Sequence, residues 1–133
     1  MDRKAILDKY TQNWILKYYP ESKQKSDQVD QLFWTSYLVN YTNLSAGEIG
    51  KLVYQSATKI MEGKSDLKTE VSSLNSQYGQ AQAWEQLIKI GVRVGWVQQI
   101  KKLYYEILND KSITETKLYF VVKEKYFPLY KLK

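Results

Sequence analysis

The sequence predicts an all-α protein, a compact bundle of five to six helices without a sheet, folded as a single domain over residues 1–133. Three observations carry this expectation. Apolar side chains recur every three or four residues along nearly the whole chain, the period of one helix face. Ser45 with Glu48, and Ser112 with Glu115, have the spacing of a capping box that opens a helix. No segment alternates cleanly between apolar and polar, and no Asn-Gly or Asp-Gly hairpin pair occurs.

A first helix fits residues 3 to 19, with Ile6, Tyr10, Trp14 and Lys17/Tyr18 along one side. Pro20 stops it, because its ring fixes φ and pushes the preceding residue out of helical geometry. Residues 21–26 are polar and read as a loop. A second helix fits 27–41, with Val29, Leu32/Phe33, Ser36/Tyr37 and Asn40 one turn apart as its inner face. The third opens at the Ser45 capping box, with Leu44 and Ile49 spaced as a hydrophobic staple, and Gly63 suits its C-terminal cap. A fourth begins near Ser65–Asp66 and uses Leu67, Val71, Leu74 and Tyr78. The longest periodic stretch, 80–109, carries a wide apolar stripe and is expected to break near one of its glycines. A turn at 110–112 and the second capping box introduce a last helix, ended or bent by Pro128 near Phe127.

Composition narrows the chemistry. The chain has no histidine and no cysteine. That removes the commonest general base, two common metal-ligand types and the thiol nucleophile. A Ser–Lys pair such as Ser56 and Lys59 has the spacing of a solvated helix face. The acid pairs Asp27/Asp30, Glu62/Asp66 and Asp66/Glu70 read as helix-end and surface carboxylates. No Gly-rich phosphate loop occurs. The expectation is a protein that is not an enzyme and uses neither a cofactor nor a metal. Without cysteines there is no disulfide framework, and no apolar run approaches the ~20 residues of a membrane span. Cytoplasmic residence is the default expectation.

Charge points to a partner. Lys plus Arg exceeds Asp plus Glu by 20 to 14, a net +6, and the excess sits at both ends. Residues 117–133 hold Lys117, Lys123, Lys125, Lys131 and Lys133 against Glu124 alone. A cationic face favours an acidic partner such as nucleic acid. Arg3 and Arg93 are the only arginines, which suits attraction to a phosphate backbone better than bidentate reading of bases. On the long helix, Lys89 and Arg93 are four apart, with Lys101 and Lys102 further along. These four read as phosphate contacts along one flank. Trp96, Tyr104, Tyr105, Tyr126, Phe127 and Tyr130 are candidate stacking surfaces, each with core packing as its plainer explanation. Gly91 and Gly95 share a helix face, which fits tight packing within the fold, close approach of a partner, or a kink.

The segments Leu44–Ser45–Ala46–Gly47–Glu48–Ile49–Gly50–Lys51–Leu52 and Glu70–Val71–Ser72–Ser73–Leu74–Asn75–Ser76–Gln77–Tyr78, with the aromatic-rich end from Leu118 to Tyr130, resemble the small helical subunit of type III CRISPR effector complexes. The resemblance covers residues 44–130. Gly50, Asn75 and Ala83–Trp84 stand where that family tends to carry arginine, a basic residue and a Gly-Arg pair, so Lys51 is the one basic motif position that carries over. The resemblance implies a non-catalytic subunit that helps hold a guide RNA–target duplex through a basic face. Its partners would be RNA or RNA–DNA backbone, neighbouring copies of itself and other effector subunits. The expected contacts are then Lys51, Lys89, Arg93, Lys101 and Lys102. Two alternatives stay open. The run from Ile90 to Gly95 leading to Lys102–Leu103–Tyr104–Tyr105 resembles coat proteins of filamentous archaeal viruses, which wrap DNA. A helical protein–protein adaptor is the other.

Overall fold

The computed structural model describes residues 2–132, with side chains described through residue 126, and the fold is an all-α bundle of six helices with no strand among the described residues. Helix α1 spans Arg3–Tyr18, and Asp2 caps it by accepting the Lys4 N–H at 3.1 Å. Helix α2 spans Glu21–Tyr41. Pro20 stops α1 but also opens α2, standing at its N-cap with φ −66° and ψ 158°. The polar run 21–26 is therefore the solvated start of a helix rather than a loop.

Helix α3 spans Ala46–Met61, and both bonds of its capping box form, Ser45 Oγ to the Glu48 N–H at 3.1 Å and Glu48 Oε1 to the Ser45 N–H at 3.0 Å. Gly63, at φ 72°, closes its far end. The Gly63 N–H reaches Ile60 O and the Lys64 N–H reaches Lys59 O, the paired bonds of a Schellman cap. Helix α4, Leu67–Tyr78, starts at Asp66, whose carboxylate accepts the Thr69 N–H at 2.7 Å. A two-residue corner with positive φ at Gly79 and Gln80 leads into α5.

Helix α5 runs unbroken from Ala81 to Asn109. The break expected at a glycine is absent because Gly91 and Gly95 serve packing. A Cβ at Gly91 would lie 3.2 Å from Ala57 Cβ and 3.3 Å from Val53 Cγ1 of α3, and one at Gly95 would run into the Met61 thioether. The second capping box does not form either. Ser112 spends its N–H and hydroxyl on the Asp110 carboxylate, at 3.0 and 2.6 Å. Thr114 instead precedes a short 3₁₀ turn, Glu115–Lys117, which leads into α6, Leu118–Leu132. Helix α6 continues past Pro128.

Helix α5 is the axle of the molecule, and two cores form along it. Its N-terminal half packs with α2, α3 and α4 around Leu38, Ile49, Leu74, Trp84 and Ile88. Its C-terminal half packs with α1 and α6 around Leu7, Trp96, Ile100, Leu118 and Tyr126. A helix in that position needs apolar residues on every side. Each fully buried aliphatic or aromatic side chain contributes roughly 1.5–3 kcal/mol. Helix α2 faces the other way from the expectation. It buries Asp27 and Leu38, while Val29, Leu32 and Phe33 point outward.

Candidate nucleic-acid interface

Both arginines are consumed inside the fold. Arg3 caps the C-terminal end of α5: its Nε donates to Leu108 O at 3.2 Å and its Nη2 to Ile107 O at 2.7 Å and Asp110 O at 2.6 Å, with Nη1 on Ile113 O. Leu108 and Ile107 belong to the last turn of α5 and Asp110 and Ile113 to the turn that follows, and a cation suits that negative pole. Arg93 sits where the two cores meet. Its Nε and Nη2 donate to the two carboxylate oxygens of Asp27, at 2.7 and 3.0 Å. Tyr19 Oη donates to the same carboxylate at 2.7 Å, and Lys23 Nζ lies 3.4 Å away. Asp27 is only 2% exposed. Burial pushes its carboxyl up, but the bonds from Arg93 and Tyr19, with the nearby positive charges, outweigh this and hold it below the usual carboxylate range. Burial, reinforced by the Asp27 charge, pushes the Tyr19 hydroxyl up.

Arg93, an expected phosphate contact, is thus paired with Asp27 inside the fold. Its Nε and Nη2 grip a buried carboxylate at two points, and swinging the guanidinium out to a phosphate would take that carboxylate's strongest partner away. The other four expected contacts do not converge. At about 100° per helical residue, Lys101 lies about 80° around α5 from Arg93 and Lys102 about 180°. Lys89 sits 3.8 Å from Glu85 in a loose surface pair. Lys51 is exposed on α3, turned away from the Val53–Ala57 side that meets α5. The single flank read from α5 does not exist, because nine residues carry a helix through two and a half turns.

The aromatic candidates divide as well. Trp96 and Tyr126 are buried core residues, and Tyr126 Oη shares a 3.1 Å hydrogen bond with Thr11 Oγ1. Tyr104 is tied to Asp8. Tyr105 is exposed. The side chains of Phe127 and Tyr130 lie outside the described residues.

The fold brings together a different set. Helices α1 and α6 come from opposite ends of the sequence and pack side by side. Between them runs a groove of about 240 Å³ floored by Tyr10, Trp14 and Tyr119, with Lys17 and Asn13 on one wall and Lys123 on the other. No carboxylate lines it among the described residues. Tyr10 and Tyr119 meet edge to face with centroids 5.5 Å apart, and Tyr119 remains 50% exposed. Lys17 lies over the Tyr18 ring, and neither Lys17 nor Lys123 has an ion-pair partner among the described residues. Tyr10, Trp14 and Lys17 sit at the three- and four-residue steps of one helix face. Sequence reasoning singled out none of these residues as a site. The signal was present as the surplus of lysine at both chain ends, but only the pairing of α1 with α6 makes the two surpluses one surface.

No helix among the described residues is long and apolar enough to cross a membrane. Comparison with protein-family models, with curated proteins and with solved structures returned no match for this chain.

Proposed function

We propose that this chain is a non-catalytic nucleic-acid-binding subunit that works as one copy within a larger assembly. It holds an RNA or RNA–DNA backbone along its α1–α6 side. The observation that carries the reading is the placement of Lys17 and Lys123 on opposite walls of an aromatic-floored groove with no carboxylate among its described lining residues. Lysine heads attract phosphate without demanding a base sequence, and an exposed ring such as Tyr119 offers a face on which a base stacks. Several carboxylates are occupied elsewhere. Asp2, Glu48 and Asp66 cap helices, Asp27 holds Arg93, and Glu70 accepts the Ser65 hydroxyl at 2.6 Å.

The narrower form of the proposal is the small subunit of a type III CRISPR effector complex. Leu44, Ile49, Leu74 and Tyr78, which carry that resemblance, belong to the core around α3, α4 and α5, and Ser45 and Glu48 form a cap. The α1–α6 groove takes one wall from α1, outside the resemblance, and the other from the aromatic-rich end that forms part of it.

The test is fluorescence anisotropy with labelled 20-nucleotide single-stranded RNA, RNA–DNA hybrid, single-stranded DNA and duplex DNA, each at two salt concentrations. Binding of RNA or hybrid that weakens steeply with salt supports the proposal. Preference for duplex DNA with assembly along it points to the coat-protein alternative, and indifference to all four removes the nucleic-acid reading.

A further inference from the structure

Helix α2 turns a polar stripe toward an aliphatic stripe of α5, and a crevice stays open between them. Gln24, Asp27, Gln28 and Gln31 have the i, i+3, i+4, i+7 spacing of one α2 face, while Ile90, Val94 and Val97 recur at three- and four-residue steps on α5. Together they line a crevice of about 280 Å³, and Gln98 and Lys101 continue its α5 side. Where two helices face each other across a core, both stripes are ordinarily apolar. Here one wall is aliphatic and the other carries amides.

The Arg93–Asp27 pair fixes this rotation of α2 and brings the glutamines round with it. Most of their hydrogen-bonding capacity is then unspent. Gln24 donates its Nε2 to Tyr19 O at 2.7 Å and keeps its carbonyl oxygen, and the side chains of Gln28, Gln31 and Gln98 form no hydrogen bond among the described residues. Val94, on the facing wall, keeps 39% of its surface exposed. Lys101 lies about 10 Å along α5 from Val94 and has no ion-pair partner among the described residues. Behind them Arg93 and Lys23 together outweigh the Asp27 charge, so the cluster does not repel an anion.

We infer that this crevice is a binding site for a single nucleotide. The base lies against Val94 and Val97, its edge hydrogen-bonds to the carboxamides of Gln28, Gln31 and Gln98, and its phosphate meets Lys101. A base has apolar faces and a hydrogen-bonding edge, the two characters that the two walls offer. A carboxamide presents a donor and an acceptor side by side, and so pairs with a base edge at two points. Lysine serves phosphate as a point charge. One lysine suits one phosphate rather than a polyphosphate chain, and the volume, near the lower end of the ~300–1,000 Å³ of ligand pockets, suits one base. The ligand is thus a nucleoside monophosphate, either free or as the 5′ end of a strand. This site shares no described lining residue with the α1–α6 groove, so each stands or falls alone.

Titration of the ¹⁵N-labelled chain with AMP, GMP, CMP and UMP into the millimolar range, followed by amide NMR, tests this. At least one monophosphate should saturably shift the side-chain amides of Gln28, Gln31 and Gln98 and the backbone from Val94 to Lys101. Its nucleoside and ribose 5-phosphate should each bind at least tenfold more weakly. Lys101→Gln should bring the monophosphate down to the affinity of its nucleoside, and Gln28→Leu/Gln98→Leu should weaken both. These positions are exposed, and circular dichroism checks that each variant keeps its helices. Lys17→Gln/Lys123→Gln should leave the affinity unchanged. A 5′-phosphorylated trinucleotide that binds as tightly as the monophosphate assigns the site to a strand end, and weaker binding assigns it to the free nucleotide. No saturable shift with any of the four, ribose 5-phosphate binding as tightly as the monophosphate, indifference to Lys101→Gln or to the glutamine pair, or loss of binding in Lys17→Gln/Lys123→Gln would each overturn the proposal.

Discussion

Arg93, in the middle of α5, grips Asp27 of α2 through two hydrogen bonds of 2.7 and 3.0 Å, and this pair ties together the two cores that share α5. A cation that looked available for a phosphate is a structural bolt. Replacing Arg93 with Met leaves the buried Asp27 carboxylate with only the Tyr19 hydroxyl and the half-exposed Lys23, and urea unfolding should register a loss of about 3 kcal/mol. The folded fraction should bind nucleic acid as the parent does. A drop in affinity without loss of stability would return Arg93 to the interface.

The same cluster sets the pH limits of stability. The folded pKa of Asp27 lies below its ordinary 3.8, so the unfolded chain takes up the proton first. Its contribution is complete above that value and is lost as pH falls through the folded pKa. The Tyr19 hydroxyl is shifted the opposite way, so its contribution is complete below its ordinary 10.0 and is lost as pH rises beyond it. Thermal unfolding against pH should show both flanks. Asp27→Asn should flatten the acid flank, and Tyr19→Phe the alkaline one. Unchanged flanks in these variants would place the titrating groups elsewhere.

The glycines separate by what surrounds them. Gly50→Ala meets open space and gains helix propensity, so it should stabilise by about 0.5–1 kcal/mol. Gly91→Ala gains the same propensity but must displace Ala57 and Val53, and overpacking costs about 1–3 kcal/mol. It should be neutral to destabilising. Gly95→Ala presses on the flexible Met61 side chain and should fall between them. Denaturant midpoints that fail to rank Gly50→Ala above Gly91→Ala would refute this account of α5.

Arg3 joins the start of the chain to the end of α5. Arg3→Gln loses a charge-assisted set of bonds to carbonyl groups, and bonds to charged groups contribute about 1.5–3 kcal/mol. Amide exchange should quicken in residues 105–113 more than in α3. Uniform acceleration would show a global effect in place of a lost cap.

Much of the fold was legible in the sequence. The Ser45–Glu48 box, Asp66, Gly63 and the helical period all point to the elements observed, because each acts within a few residues. What was not legible depends on neighbours far along the chain. Helix α2 carries Leu38, Trp34 and Tyr37 on one side and Val29, Leu32 and Phe33 on another, so hydrophobicity alone does not decide which side is buried. Ser112 and Glu115 have capping spacing, yet Asp110 captures the serine first. The partner of Arg93 lies 66 residues away, and no local pattern announces it. The groove between α1 and α6 exists only once the chain ends meet.

The central claim is that Lys17 and Lys123, not Lys51 of α3 or Lys102 of α5, face the polyanion. The most direct measurement is the salt dependence of RNA affinity for Lys17→Gln/Lys123→Gln beside Lys51→Gln/Lys102→Gln. The first pair should weaken binding and lower the slope of log K against log salt by about 1.4, since each phosphate contact to a single strand contributes ~0.7. The second pair should leave the slope unchanged. Loss of slope in the second pair with none in the first would contradict the account.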